Sequence, residues 1–161
     1  MSLFLPNFIY RRITDIDFET IENFGIKALF LDVDNTLSTH HGTVLVNGLK
    51  KWIKEMSEKG ISLLILSNSK NKRVKPFAKK VGLPFVSCAL KPLPFGYNKA
   101  IRMLKCNKNN CAIIGDQIFT DVLGANLYGV KSILVRPIKL ENGSSFKIRR
   151  YFERKILKDK F

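Results

Sequence analysis

Acidic residues are scarce in this sequence. Its 13 aspartates and glutamates stand against 28 lysines and arginines, which gives a formal net charge of +15. The pI calculated from the sequence is about 9.9. A surface of this sign favours polyanionic partners, and the charge alone leaves nucleic acids, anionic lipids and phosphorylated substrates open.

Cysteines are also few, and long apolar runs, internal repeats and low-complexity tracts are lacking. The three cysteines (Cys88, Cys106 and Cys111) are odd in number and lack the clustering of a metal site. We therefore expect reduced thiols in a cytoplasmic protein. No apolar run approaches the length that a membrane-spanning helix needs. The 161 residues predict one domain with a hydrophobic core, an N-terminal arm over 1–14 and a basic tail over 146–161.

Short apolar runs alternate with helical patterns along most of the chain. Strands are predicted over 26–31, 61–66, 83–87, 111–114 and 132–135, and helices over 15–23, 45–59, 70–81, 95–104 and 122–128. This order predicts an α/β fold in which helices cover both faces of a parallel sheet. In such folds, ligands bind at the carboxyl ends of the strands.

The stretch Leu-Asp-Val-Asp-Asn-Thr-Leu follows the first of these strands. Asp32 and Asp34 leave the strand end one residue apart. Paired carboxylates at the end of a buried strand are costly unless a cation compensates them. A hard divalent metal prefers such oxygen ligands. The stretch therefore predicts a metal-dependent site in which one aspartate can act as a nucleophile.

Polar residues recur at the ends of the later strands. Ser67 and Asn68 can form a plain turn, or the Ser67 hydroxyl and nearby backbone N–H groups can hold phosphate oxygens. Lys91 follows a strand at a position from which it could reach the same place. Asp116 and Asp121 could each be a helix cap. Acid-bearing strand ends that occur twice in one βα series favour a shared site instead.

Four motifs in this order, DVDNT, SNS, KP and GDQIFTD, resemble those of the haloacid dehalogenase (HAD) phosphatases. The stretches RVKPFAKKVGLPF and VLGANLYGVKSILVRPI are similar to the YqeG-like branch of HAD subfamily IIIA, which includes the mitochondrial phosphatidylglycerophosphate phosphatase. The resemblance covers about residues 6–138. It implies a three-layer, Rossmann-like HAD fold. A large cap domain is not expected, because only a loop and one helix fit between Asp34 and Ser67.

The resemblance also implies a Mg²⁺-dependent phosphomonoester hydrolase. Asp32 would be the nucleophile that forms an aspartyl-phosphate, and Asp34 would be the general acid and then the general base. Mg²⁺ would be held by Asp32, by Asp116 and by the backbone carbonyl of Asp34.

The same resemblance assigns the remaining positions of the motifs. Ser67, Asn68 and Lys91 would bind the phosphoryl group, with Lys91 neutralising its charge. The supporting residues would be Thr36, Gly115 and Asp121. Of these, Asp121 would support the metal shell or orient Lys91.

Both ends of the chain suggest a membrane surface. The first ten residues are rich in apolar side chains and precede Arg11 and Arg12, so they can form an interfacial anchor or an arm packed on the domain. In the tail, one helical face carries four apolar residues (Ile148, Tyr151, Phe152 and Ile156). This basic amphipathic pattern fits peripheral contact with the inner face of a membrane, or docking on the domain.

Charge, an open site and these two segments together fit an anionic phospholipid head group, and phosphatidylglycerophosphate is the expected substrate. Two alternatives stay open. One is a soluble HAD phosphatase for sugar phosphates or nucleotides. The other is a nucleic-acid-binding protein with vestigial acids, since basicity serves that function equally well. We expect no nucleic-acid partner, because no RNA-binding aromatic motif is present. The oligomeric state is not predicted.

Overall fold

The computed structural model describes residues 2–39, 42, 44–139, 151, 153 and 155–157. This part of the chain contains one six-stranded sheet in the order β1-β6-β5-β2-β3-β4, in which every pair of neighbours is parallel. The strands are β1 (Phe8–Tyr10), β2 (Ala28–Leu31), β3 (Ser62–Leu66), β4 (Phe85–Val86), β5 (Cys111–Gly115) and β6 (Lys131–Val135). All six carboxyl ends therefore lie at one edge, which we call the carboxyl edge.

Helices connect these strands on both faces of the sheet. They are α1 (Phe18–Asn23), α2 (Leu49–Glu58), α3 (Asn71–Val81), α4 (Phe95–Leu104) and α5 (Leu123–Tyr128). One turn of π-helix (Ile118–Val122) leads into α5. Short 3-10 turns occur at Ile13–Asp15 and Lys108–Asn110.

The apolar residues of β2 show how the layers form. Leu29 and Leu31 pack in one core cluster with side chains of α2 and α3, such as Trp52. Phe30 packs in a second cluster with Tyr97 of α4. Successive residues of a strand point to opposite faces, so a fully apolar strand needs helices on both sides. The predicted three-layer α/β fold is confirmed.

The N-terminal segment contains a strand that was not predicted. Residues 1–14 were expected to form an arm, but Phe8–Tyr10 form edge strand β1 and pair in parallel with β6. Asn7 extends the contact, since its Oδ1 accepts a hydrogen bond from the backbone N–H of Ser132 at 2.8 Å. A strand of three residues whose partner lies more than 100 residues away leaves little periodic signal. Residues 8–10 therefore pack on the domain, which agrees with the packed-arm alternative.

Two helices begin several residues later than predicted. Asp17, not Asp15, caps α1, because its carboxylate accepts a hydrogen bond from the backbone N–H of Thr20 at 2.7 Å. That hydrogen bond lowers the pKa of Asp17. Helix α2 begins at Leu49, after Gly48, which adopts a positive φ of 80°. Glycine tolerates this left-handed conformation without steric cost.

The tail helix keeps one predicted apolar contact, because Ile156 packs against the cluster that contains Leu157, but it differs from the prediction at Tyr151. Among its described residues, Leu157 is buried against Ile118, Val122 and Leu134, whereas Tyr151 is 52% exposed. Ile148 and Phe152, which the prediction placed on the apolar face, lie outside the described residues. The described part of the tail therefore docks on the domain. None of the described helices has the length and apolar content needed to cross a bilayer.

Candidate active site

The predicted site residues follow three neighbouring strands at the carboxyl edge. Asp32 follows β2, Ser67 follows β3 and Asp116 follows β5, and the order β5-β2-β3 makes these strands adjacent. The backbone N–H of Asp32 donates to the carbonyl of Ile114 at 2.9 Å, so Asp32 is still anchored to the sheet. The parallel register therefore delivers acids from distant parts of the sequence to one place.

A buried ammonium group joins two of these acids. The Lys91 Nζ donates to Asp32 Oδ1 at 2.7 Å and to Asp121 Oδ1 at 2.6 Å. Its third hydrogen bond goes to the carbonyl of Leu66 at 2.9 Å. A lysine has three N–H donors, so this arrangement satisfies all of them. Lys91 is thus held at the site and is not a solvated surface charge.

Burial sets the charges of this cluster. Desolvation raises the pKa of Asp32 to about 7, although the adjacent Lys91 acts to lower it. Burial by itself would lower the pKa of Lys91, but the carboxylates of Asp121 and Asp32 outweigh it and hold that pKa above its ordinary value. The lysine therefore stays charged at neutral pH. Asp32 titrates near neutral pH unless a further cation stabilises its carboxylate.

The carboxylates at this site fit a divalent metal ion. Asp32, Asp116 and Asp121 each bring an oxygen atom within 4.8 Å of the others, and all three residues are buried. Three ionised carboxylates beside one lysine leave two surplus negative charges, which buried groups cannot carry without compensation. Oxygen donors of this kind suit a hard cation such as Mg²⁺.

Gly115 makes room for Asp121. A Cβ atom added at Gly115 would lie 2.3 Å from the Asp121 carboxyl carbon, closer than non-bonded atoms can approach. The backbone N–H of Gln117 donates to Asp121 Oδ2 at 3.2 Å. Sterics therefore explain the glycine at this motif position, since the absent Cβ lets the Asp121 carboxylate approach Lys91.

The carboxylate of Asp34 is held by two residues that the sequence reasoning missed. The Ser69 hydroxyl donates to Asp34 Oδ2 at 2.8 Å, and the Arg73 guanidinium donates to Oδ1 at 3.1 Å. Ser69 belongs to the quoted SNS motif, which was a usable signal. Arg73 is one basic residue among many in α3, and nothing in the sequence distinguishes it.

The Asn68 side chain bonds the backbone of Lys91. Its side-chain amide donates to the Lys91 carbonyl at 2.9 Å and accepts from the Lys91 N–H at 2.7 Å. These two bonds tie the loop after β3 to the loop that carries the lysine. Ser67 is buried, and its hydroxyl accepts a hydrogen bond from the backbone N–H of Ser69 at 3.1 Å. Thr36 is also buried, in the turn after Asp34.

Comparison with known proteins finds relatives that are described as phosphatases. The family described as "Mitochondrial PGP phosphatase" matches residues 1–139. The chain is 38% identical over 156 residues to "Probable phosphatase YqeG" of Bacillus subtilis, covering 97% of this chain and 91% of that protein. It is 28% identical over 149 residues to the mitochondrial phosphatidylglycerophosphatase GEP4 of Saccharomyces cerevisiae, covering 84% and 79%.

A solved structure shares the fold. The cobalt-bound form of the deoxy-D-mannose-octulosonate 8-phosphate phosphatase from Haemophilus influenzae superposes with a TM-score of 0.52 at 18% sequence identity. The superposition covers 83% of this chain and 88% of that one. The parallel sheet, its helices and the motif positions together constitute a HAD fold.

Proposed function

Because this chain belongs to the mitochondrial PGP phosphatase family and is a HAD-type phosphatase, we propose that it converts phosphatidylglycerophosphate to phosphatidylglycerol and inorganic phosphate. The family match confirms the resemblance that was drawn from the four motifs. The observation that carries the mechanism is the ammonium of Lys91 held between Asp32 and Asp121. That geometry supports a positive charge fixed where a phosphoryl group would meet a carboxylate.

In the proposed reaction, Asp32 is the nucleophile. Its Oδ1 is held by Lys91, which leaves Oδ2 to attack phosphorus. A bond forms between Oδ2 and phosphorus while the bond from phosphorus to the lipid glycerol oxygen breaks. The product of this step is an aspartyl-phosphate. Water then attacks its phosphorus, and inorganic phosphate leaves as the Asp32 carboxylate is restored.

In this proposal, Asp34 is the general acid and then the general base. It gives a proton to the departing glycerol oxygen and later takes one from the attacking water. The contacts from Ser69 and Arg73 support this role because they orient the carboxyl group.

The remaining site residues bind the metal and the phosphoryl group. We assign Mg²⁺ to Asp32, Asp116 and the backbone carbonyl of Asp34. Asp121 stays paired with Lys91 through their hydrogen bond. When bound, Mg²⁺ supplies the positive charge that reduces repulsion between the carboxylate and the phosphate. Ser67, at the end of β3, is placed to bind phosphate oxygens, and Asn68 positions the loop of Lys91.

The lipid substrate is supported by the family description and by the name of the yeast relative. The net charge of +15 supports binding of the protein to an anionic membrane surface, which we place on the cytoplasmic side. Between the loops that carry Asp34 and Ser67, the described chain contains only α2 as a regular helix. An uncapped site suits a substrate whose bulk stays in a membrane.

A substrate panel tests this proposal. Phosphate release with Mg²⁺ would be compared for phosphatidylglycerophosphate in mixed micelles, glucose 6-phosphate and AMP, with Asp32→Asn as the inactive control. We expect the lipid to have the highest kcat/KM. A higher kcat/KM for the sugar phosphate or the nucleotide would refute the lipid substrate while leaving the phosphatase assignment standing. Sedimentation with anionic vesicles tests membrane contact separately, with RNA at matched salt as the competing polyanion.

A further inference from the structure

A groove of about 550 Å³ opens beside the turn that follows Asp34. Three arginines (Arg11, Arg12 and Arg136) and the hydroxyl residues Thr36 and Ser38 contribute to its lining. Its volume lies within the usual range for small-ligand sites. The residues that line it in the described part of the chain include no aspartate or glutamate. The groove is therefore positively charged and adjoins the catalytic turn.

Sheet topology places these arginines together. Arg11 and Arg12 follow β1, Arg136 follows β6, and these two strands are parallel neighbours. The backbone N–H of Arg136 donates to the carbonyl of Tyr10 at 3.2 Å, so the two segments stay joined beyond the strands. All three cations consequently lie at the carboxyl edge, where Asp32 and Asp34 also lie.

Two buried hydroxyl groups in the lining lack a protein partner. Thr36 and Ser38 are 2% and 0% exposed, and neither side-chain oxygen has a hydrogen-bond partner within the described residues. Buried polar groups are normally paired, and an unpaired one costs free energy. A ligand with several acceptor oxygens would satisfy both hydroxyls, and a phosphate group has this property.

We propose that this groove binds the phosphodiester group of the substrate while its phosphomonoester group lies at Asp32. The inference rests on the proposed function, because phosphatidylglycerophosphate carries one group of each kind, joined through glycerol. Guanidinium groups match phosphate oxygens in charge and planar geometry. The groove thus selects substrates with two phosphates over simple phosphomonoesters.

The test uses two soluble substrates. Deacylated phosphatidylglycerophosphate carries both phosphates without acyl chains, and glycerol 3-phosphate carries only the monoester. In the triple variant Arg11→Gln, Arg12→Gln, Arg136→Gln, we expect kcat/KM for the two-phosphate substrate to fall at least ~10-fold through KM. The value for glycerol 3-phosphate should change much less. Ser38→Ala should raise KM for the two-phosphate substrate in the same selective way, without changing the net charge.

A matched control removes equal charge elsewhere. Lys27 precedes β2, and Lys105 and Lys108 precede β5, so all three lie at the opposite edge of the sheet. The triple glutamine variant at these positions should keep the wild-type preference for two phosphates. Thermal melting of each variant verifies folding.

Each contrary result has a distinct meaning. If the arginine variant matches the lysine control on both substrates, the groove is not a phosphate subsite, although the phosphatase assignment stands. An equal loss on both substrates would also overturn selective binding. If the variant loses affinity only for vesicles, the arginines contact the membrane surface and the subsite is wrong. A wild-type protein that hydrolyses neither the lipid nor its deacylated form would reject the proposed function itself.

Discussion

The carboxylate of Glu153 accepts a hydrogen bond from the backbone N–H of Ile118 at 2.9 Å. Ile118 begins the π turn that follows Asp116 and contains Asp121, so this bond links the tail helix to the segment that presents two of the site acids. Glu153 is only 4% exposed. The tail therefore supports the geometry of the candidate active site.

Removing this carboxylate should loosen the segment that carries Asp116 and Asp121. For Glu153→Ala we expect the Mg²⁺ concentration at half-maximal activity to rise about tenfold, since hydrogen bonds to charged groups contribute ~1.5–3 kcal/mol. Glu153→Gln keeps an acceptor oxygen and should recover most of the loss. A Mg²⁺ titration of activity in both variants gives the measurement. Equal Mg²⁺ dependence in wild type and Glu153→Ala would show that the contact is not functional.

Asp32→Asn should abolish Mg²⁺-dependent phosphate release and make the metal-free protein more stable at high pH. Because burial raises the pKa of Asp32 from 3.8 to about 7, the stability contributed by this group is complete below about pH 4. It is lost as the pH rises through 7.

In chelator at pH 8, Asp32→Asn should therefore melt at least ~2 °C above wild type. The difference should shrink at pH 5, where the wild-type carboxyl is protonated. Melting curves at the two pH values, recorded with EDTA, measure this effect. Wild-type turnover by Asp32→Asn would exclude Asp32 as the nucleophile.

Lys91→Ala should lose both activity and stability. The change leaves Asp32 and Asp121 without the cation that pairs with them, and breaking a buried pair costs about 3–5 kcal/mol. Loss of a fixed positive charge at the phosphoryl group should lower kcat by about 100-fold or more. Chemical denaturation and steady-state kinetics measure the two effects. A mild change in both would place Lys91 outside the reaction.

Arg73→Ala should slow turnover by weakening the orientation of Asp34. The ion pair spans 3.1 Å and is partly buried, so we expect kcat to fall about tenfold, as for the loss of one charge-assisted hydrogen bond. Lys72→Ala is the matched control, because Lys72 is the preceding, exposed residue of α3. If the two variants have the same kcat, Arg73 contributes only to the general charge of the helix.

Mg²⁺ should stabilise the folded protein through Asp116. A ligand at 100 times its Kd stabilises the native state by about 2.7 kcal/mol, which a thermal shift assay detects. Asp116→Asn should lose most of this shift, whereas Asp15→Asn at an exposed position should retain it. An unchanged Mg²⁺ response in Asp116→Asn would remove Asp116 from the metal site.

Most of the fold could be predicted because its signals are local. The β2, β3, β5 and β6 strands are apolar runs, and α4 has the predicted bounds of 95–104. Edge strand β1 was missed because three residues carry no clear period and its pairing is with β6. In the tail, Ile156 packs on the domain as predicted, but the buried Leu157 was missed, since that docking contact depends on where the helix meets the domain.

The candidate site divides in the same way. Asp32, Asp34, Lys91, Asp116 and Asp121 could be identified from motif order. Their closeness follows from a parallel sheet, whose carboxyl ends share one edge. The contacts of Arg73 with Asp34 and of Glu153 with Ile118 could not be identified, because a lone arginine or glutamate has no sequence signature.

By itself, the sequence determined the strand and helix order, the surplus of positive charge and the acids at the strand ends. These properties depend only on the identity of the residues and their spacing along the chain. Only the tertiary structure decided that Lys91 lies between Asp32 and Asp121, that Glu153 holds the segment containing Asp121, and that three arginines share one groove with Thr36. Contacts of this kind join residues far apart in sequence, and they arise only when the sheet brings those segments together.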